Sequence, residues 1–341
     1  MASAEQAESQ DDAFVDPLIL GALKPPGADD GARLVREAGG FRDPATGATF
    51  PDRDGIPSLI AGVAEDDTAV TGRIQAFYEE HPFPSYEGLQ DFGDLVERGR
   101  GNPFSARLLQ AIGYNKQILE CGCGTGQLSQ FLSLNGNHVL GIDLSRSSLA
   151  LALEFKRRNA IARASFVQMN IFALGIKDAT FDVVISSGVL HHTKDARRAF
   201  AAIVPKAKPG GIVIVGLYNR YGRLPTAWRA RLIGLVGPRI DYVVRHRIRD
   251  ARKAEIWIKD QYYNPHETWH SIDEVLGWFA ENDVDYLGCH PPILGTAPAP
   301  DLFAASDPGS WPARLATQLG WIGSISAEGA LFVMIGRRRG G

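Results

Sequence analysis

Short, nearly unbroken apolar runs punctuate the middle of this chain. They are Ile118-Leu-Glu-Cys121, His138 to Ile142, Ser165 to Ile171, Phe181 to Gly188 and Gly211 to Tyr218, the last following a Pro209-Gly210-Gly211 turn. Runs of this length, rich in β-branched residues, read as central strands of a parallel sheet covered on both faces. The fold class expected is therefore α/β and doubly wound.

The loop after the first run carries the chemistry. Glu120-Cys-Gly-Cys-Gly-Thr-Gly126 places Gly122, Gly124 and Gly126 at alternate positions, where the backbone can take positive φ and a ligand can approach bare amides. A dinucleotide fingerprint needs glycine at the first, third and sixth places of its loop, but the sixth place is Gln127 counted from Gly122 and Ser129 counted from Gly124. That weakens a nicotinamide or flavin reading, and the acidic Glu120 just before the loop fits S-adenosylmethionine. Asp143 ends the second strand about 20 residues after the first glycine, where a carboxylate can accept both ribose hydroxyls. Asn170 offers an amide oxygen to the adenine amino group, and Ile171 packs on the ring.

With these ordered motifs the chain closely resembles the class I S-adenosylmethionine-dependent methyltransferases, of the sort grouped with the small-molecule enzymes of ubiquinone synthesis. The resemblance covers roughly residues 100 to 218 and resumes at 271 to 337, where Ser271 caps the helix Ile272 to Phe279. It implies a seven-stranded Rossmann-like sheet of six parallel strands plus an antiparallel seventh, with strand six at about Asp285 to His290 and strand seven at Ala330 to Gly336. The cofactor-binding set it implies is Tyr78, Tyr86, Glu120, Gly122, Gly124, Gly126, Gln127, Asp143, Leu144, Asn170, Ile171, Ser187 and Gly188. Two departures stand out. The family usually has aspartate where Asn170 stands, and the segment 291–329 is longer than a simple hairpin.

Residues 13–62 form a second expected unit, with two hairpin-like turns in Phe41 to Pro57 and few helix signals. The unit is similar to Trm112-like zinc-ribbon domains, but Leu23-Lys-Pro-Pro26 and Arg42-Asp-Pro-Ala45 stand where zinc-binding cysteines would be sought, so no metal is expected there. Apolar packing through Phe41, Phe50, Ile56 and Leu59 would have to hold it. Residues 1–12 read as a disordered tail, and residues 63–99 as a linker and cofactor lid. In that lid a helix from Ile74 ends at His81, because Pro82 opposes helical geometry before it, and Tyr78, Phe83 and Tyr86 offer aromatic walls. Ordinary aromatic packing between the small unit and the remainder is the rival reading.

The methyltransferase-like region is expected over residues 100–341, with an insertion at 219–270 after the fifth strand, too long for a bare connection and suited to a helical substrate cap. Ligands in this fold class sit at the carboxyl ends of parallel strands. That rule, with the polar end of the insertion, nominates His192, Tyr218, Tyr221, Tyr262 and His266 as catalytic candidates, histidine having the pKa for general-base work. Asp260, Glu267 and His270 add polarity to the same segment, short of a metal signature.

Composition sets outer bounds. The 341 residues are 45% hydrophobic and 22% charged, with net charge -3, enough for one sizeable core and a small extra unit. No apolar stretch approaches the ~20 residues that span a bilayer and the N-terminus lacks a signal-peptide core, so a cytoplasmic protein is expected. Charge is uneven: residues 1–72 hold 14 acids against 5 bases, and residues 217–260 hold 11 bases against 4 acids. That asymmetry suits an anionic or lipid-like acceptor, a contact between the two segments, or a solvated helical face. A peripheral membrane contact through Trp228 to Ile248 is a further reading, although Gly234, Gly237 and Pro238 are expected to break a helix there.

The expected activity is methyl transfer to a small-molecule acceptor at oxygen, nitrogen, sulfur or carbon. RNA or protein methylation is the alternative within enzymes, although the basic segment lacks the interleaved aromatics of nucleic-acid readers. A cofactor-binding scaffold without turnover is the non-enzyme alternative. Neither the acceptor nor the oligomeric state is encoded legibly.

Overall fold

The computed structural model describes residues 15–60, 65–246, 248, 250–296, 301–325 and 329–340, so the expected tail over residues 1–12 lies outside the described residues. The chain begins with a short helix α1 (Pro17–Leu20) and four small strands, β1 (Val35–Glu37), β2 (Gly40–Arg42), β3 (Thr49–Arg53) and β4 (Ile56–Pro57), each paired antiparallel with the next. Helix α2 (Glu65–Glu80) stops before Pro82, and α3 (Phe92–Gly101) and α4 (Pro103–Ile112) lead into the main sheet.

That sheet is built from β5 (Gln117–Cys121), β6 (His138–Asp143), β7 (Ala164–Gln168), β8 (Phe181–Ser187), β9 (Ala207–Tyr218), β10 (Val284–His290) and β11 (Leu331–Arg338). Its order is β10-β11-β9-β8-β5-β6-β7, with β11 antiparallel to both neighbours and the other adjacent pairs parallel. This is the doubly wound seven-stranded sheet that the apolar runs and the resemblance imply. Its helices are α5 (Gln127–Leu132), α6 (Arg146–Arg158), α7 (Ala196–Ile203), α8 (Leu224–Val236), α9 (Tyr242–His246), α10 (Ala251–Tyr262), α11 (Ile272–Glu281) and α12 (Trp311–Ser324).

Alternation along each strand divides the core. Leu119, Leu140, Val167, Val184 and Val213 face one layer with α7 and α11, while their neighbours Ile118, Val139, Val183 and Ile214 face the other with α4 and α5. Ser271 caps α11 through a reciprocal capping box with Glu274.

Several boundaries move for local reasons. Strand β9 starts at Ala207, and the expected Pro209-Gly210-Gly211 turn is a bulge within it, the register with β8 jumping from Phe181↔Ala207 to Val183↔Ile212 around Gly210 at φ 78°. Strand β7 ends at Gln168, because Asn170 leaves the ladder to cap a 3₁₀ turn over Ile171–Ala173. Gly234 does not break α8, which runs through it to Val236 before Gly237 ends it. The 291–329 segment contains α12, whose Trp321 joins the main core.

The N-terminal strands are not closed on themselves. Val15, Ile19, Leu23 and Leu59 enter the main core, Ile56 packs with residues of α6, and Leu59 N–H donates to Gln168 O (2.9 Å), attaching the unit to the edge strand β7. Phe41 and Phe50 pair across β2 and β3.

Candidate active site

A cavity of about 310 Å³ opens at the carboxyl ends of β5, β6 and β8, where the strand order reverses about β5. Gly122 and Gly124 make its floor, at φ 77° and 52°. A Cβ on Gly122 would fall 2.3 Å from Val189 Cγ1, and one on Gly124 2.2 Å from Phe83 O, so side chains are excluded by backbone angle and by space. Gly124 N–H donates to Asp143 Oδ2 (2.8 Å) and Ser145 N–H to Asp143 Oδ1 (2.8 Å), fixing that carboxylate at the end of β6. Burial raises the Asp143 pKa against these donors. Glu120, also buried, is pushed up to about 8 by desolvation, opposed by a hydrogen bond from Ser129 Oγ.

Asn170 shows what it awaits. Its Oδ1 accepts from Phe172 N–H (2.9 Å), while Nδ2, buried on the cavity wall, has no partner. An unpaired buried donor costs about 1–3 kcal/mol, which a ligand acceptor atom would recover. The amide oxygen, expected to meet the adenine amino group, keeps a second lone pair beside its bond from Phe172 N–H, and the unpartnered Nδ2 adds a donor to the same residue.

The roof is α2, which presents Thr71, Ile74, Gln75 and Tyr78 on successive turns of one face. Its end is pinned by Glu79, whose carboxylate accepts from Arg146 N–H (2.6 Å) and Ser147 N–H (2.9 Å) at the start of α6. Tyr78 Oη donates to Asp260 Oδ1 (3.0 Å) on α10 and accepts from Asn264 Nδ2 (3.0 Å), so roof and insertion close together. Behind that contact, Gln261 Nε2 donates to Asp260 Oδ2 (3.0 Å) and Tyr218 Oη (2.8 Å). Arg223 lies 3.9 Å over the Tyr218 ring and forks onto Glu267 at 2.8 and 2.6 Å. Arg223 is buried and Glu267 half-buried, and the bidentate geometry with added bonds from Arg223 to Gln261 satisfies the charges.

On the cavity wall after β8, His192 Nδ1–H donates to His266 O (2.9 Å). That bond places the proton on Nδ1 and leaves Nε2 as a lone-pair acceptor. Burial lowers the His192 pKa, opposed chiefly by Asp260, so the ring is neutral at pH 7.

Residues 119–215 match a family described as a methyltransferase domain. The middle of the chain is thus a methyltransferase domain. An uncharacterized protein from Synechococcus is 28% identical over 64% of this chain and 60% of its own length. Ubiquinone biosynthesis O-methyltransferases from Cronobacter sakazakii (26% identical, 52% of this chain, 66% of that protein) and Methylococcus capsulatus (32%, 45% and 62%) are similar as well. The chain thus spans less than two thirds of each of these relatives.

The cavity brings together Tyr78, Glu120, Gly122, Gly124, Gln127, Asp143, Leu144, Asn170, Ile171, Ser187, Gly188 and His192. Six nominated residues lie outside its lining. Gly126, at φ 74°, starts α5 against Phe166. Tyr86 stacks on Phe155 at 4.5 Å and donates to Thr125 O (2.7 Å), bracing the glycine loop from behind rather than walling the ligand. Tyr218 is buried under Arg223, and Tyr262 donates to Asp241 Oδ2 (2.6 Å) inside the insertion. Tyr221 makes its bond through its backbone to Asn219, and His266 reaches the site through its carbonyl, not its ring. The segment read as a loop from Asp260 begins in α10, which puts Asp260 and Gln261 on a helix.

Sequence reasoning passed over Phe172, Thr193, Lys194 and the inner face of α2. The 71, 74, 75, 78 spacing of that face was readable as one side of a helix.

Proposed function

We propose that the protein transfers a methyl group from S-adenosylmethionine to a hydroxyl of a small-molecule acceptor, with His192 as general base. The observation that carries this reading is the fixed tautomer of His192, whose Nδ1–H bond to His266 O leaves a basic Nε2 on the wall of the cavity. A base is useful where the nucleophile must lose a proton, which favours a hydroxyl over an amine or thiolate acceptor. The oxygen methyltransferases among the relatives agree with it.

The residues present fit the cofactor. Asp143 would accept from the ribose hydroxyls, Asn170 would meet the adenine ring through its amide, the bare amides around Gly122 and Gly124 admit close approach, and Glu120 and Asp143 are buried carboxyls that a cationic ligand would hold ionised. When bound, S-adenosylmethionine supplies a methyl group already activated by its sulfonium. The chain has three remaining tasks: to hold the acceptor oxygen in line, to receive its proton at His192 Nε2 and to exclude water. Helix α2, closed onto α10 through Tyr78 and Asp260, performs the exclusion.

Labelled methyl transfer to a panel of alkyl-substituted catechols, run with wild type and His192→Gln, tests this proposal. Label should appear on oxygen, and the variant should fall at least ~100-fold. Transfer only to RNA or protein, or full activity in His192→Gln, would overturn it.

A further inference from the structure

Helix α8 turns an apolar face to solvent. Leu224, Trp228, Leu232 and Leu235 recur at intervals of four, four and three residues, one side of the helix, and are 42%, 65%, 44% and 84% exposed. Ile240 and Tyr242 continue the exposed apolar surface just beyond it. The opposite side is anchored, with Thr226 and Ile233 buried. Four large apolar side chains in a row are not the scattered exposure ordinary in soluble surfaces.

Charge identifies the occupant. Residues 219–249 contain eight arginines, no lysine and a single acid, Asp241. Asp241 is buried and accepts from Trp257 and Tyr262, so it offsets little of the surrounding field. Arg223 is likewise turned inward on Glu267, whereas Arg231, Arg239 and Arg245 are exposed beside the apolar row. The Arg231 guanidinium lies 5.4 Å over the Trp228 ring, keeping cation and indole at one level.

We propose that this face docks on an anionic phospholipid bilayer, with Leu224, Trp228, Leu232 and Leu235 in the headgroup–acyl boundary and the arginines on lipid phosphates. An apolar row rimmed by cations matches both layers of that boundary. A second copy of the chain would set arginine against arginine across a twofold interface. Nucleic acid would match the charge and leave the leucines uncovered. The 13 residues of α8 extend about 20 Å, short of the ~30 Å hydrocarbon core, so the helix lies in the surface and does not cross it. Helix α8 starts six residues after Tyr218, at the carboxyl end of β9, so docking would hold the active-site end of the sheet near molecules carried in the membrane.

Co-sedimentation of the full chain with equimolar phosphatidylglycerol and phosphatidylcholine vesicles is the test, pure phosphatidylcholine vesicles serving as reference. Binding is expected to the mixed vesicles and to fall at least ~10-fold at ~0.5 M salt, on pure phosphatidylcholine, or in the Arg231→Glu/Arg239→Glu variant. The Trp228→Glu/Leu235→Glu variant should lose it too. Both variants should keep wild-type affinity for S-adenosylhomocysteine by calorimetry, which shows that the fold and the cofactor site are intact and separates this inference from the catalytic proposal. Absence of sedimentation, wild-type sedimentation by either variant, salt-independent binding, or self-association that the leucine variant abolishes in place of vesicle binding would overturn it.

Discussion

The buried carboxyl of Glu120 makes ligand affinity depend on pH. Its pKa is pushed up to about 8, so the ligand-free site holds it protonated at neutrality. The shift from the free value of 4.5 corresponds to roughly 5 kcal/mol at ~1.4 kcal/mol per unit, chiefly the cost of holding a carboxylate away from water. A ligand bearing an ammonium group stabilises the ionised form, so binding must expel the proton. That cost grows with each pH unit below the pKa, so Kd for S-adenosylhomocysteine should fall roughly tenfold per pH unit from 6 toward 8 and then level. Calorimetry at pH 7 in phosphate and in Tris should report net release of protons on ligand binding, because Glu120 is largely protonated below its pKa. Glu120→Gln should flatten the profile and weaken binding at pH 8. The ligand-free fold carries the same linkage with a definite sign: unfolded Glu120 ionises first, so this group's contribution is complete below about 4.5 and lost as pH rises toward about 8. A Kd that is flat from pH 6 to 8, with buffer-independent heat, would refute the reasoning.

Three further outcomes follow from the geometry. Asp143→Ala should raise Kd for S-adenosylhomocysteine about 100-fold by equilibrium dialysis, from the loss of two charge-assisted hydrogen bonds at roughly 1.5 kcal/mol each. His192→Gln should lower kcat by ~100-fold or more while moving cofactor affinity less than about threefold, because the role proposed for the imidazole is to receive the acceptor's proton. His191 is fully buried with neither ring nitrogen hydrogen-bonded, and burial holds its pKa well below the usual range, as it lowers that of His192. The unfolded chain therefore binds protons first, and stability should be complete above about pH 6.5 and fall below it. Thermal unfolding should show that loss, and His191→Phe should reduce it.

Legibility in the sequence followed the physics of each part. The sheet could be read because buried parallel strands must be apolar on both faces, and a single residue at each strand end, Asp143 or Ser187, then fixes where a ligand lies. The unpartnered Nδ2 of Asn170 could not, since it depends on the bond that ties Oδ1 to Phe172 N–H. Tyr86 and Phe83 are alike in sequence, yet the chain turns between them, and Tyr86 finds Phe155 while Phe83 lines the cavity. Asp260, Gln261, Arg223 and Glu267 form one network from segments 38 to 44 residues apart, and no local period encodes such a meeting. The exposed row on α8 was visible as apolar residues among arginines, but which side faced solvent was not.

The central claim is that the cavity after β5 binds S-adenosylmethionine through Glu120, Asp143 and Asn170. Isothermal titration of the purified chain with S-adenosylmethionine tests it most directly. One molecule per chain, with heat that Asp143→Ala abolishes at the same concentrations, is the result the geometry requires. No binding by a folded wild-type chain, or binding that Asp143→Ala leaves unchanged, would contradict it.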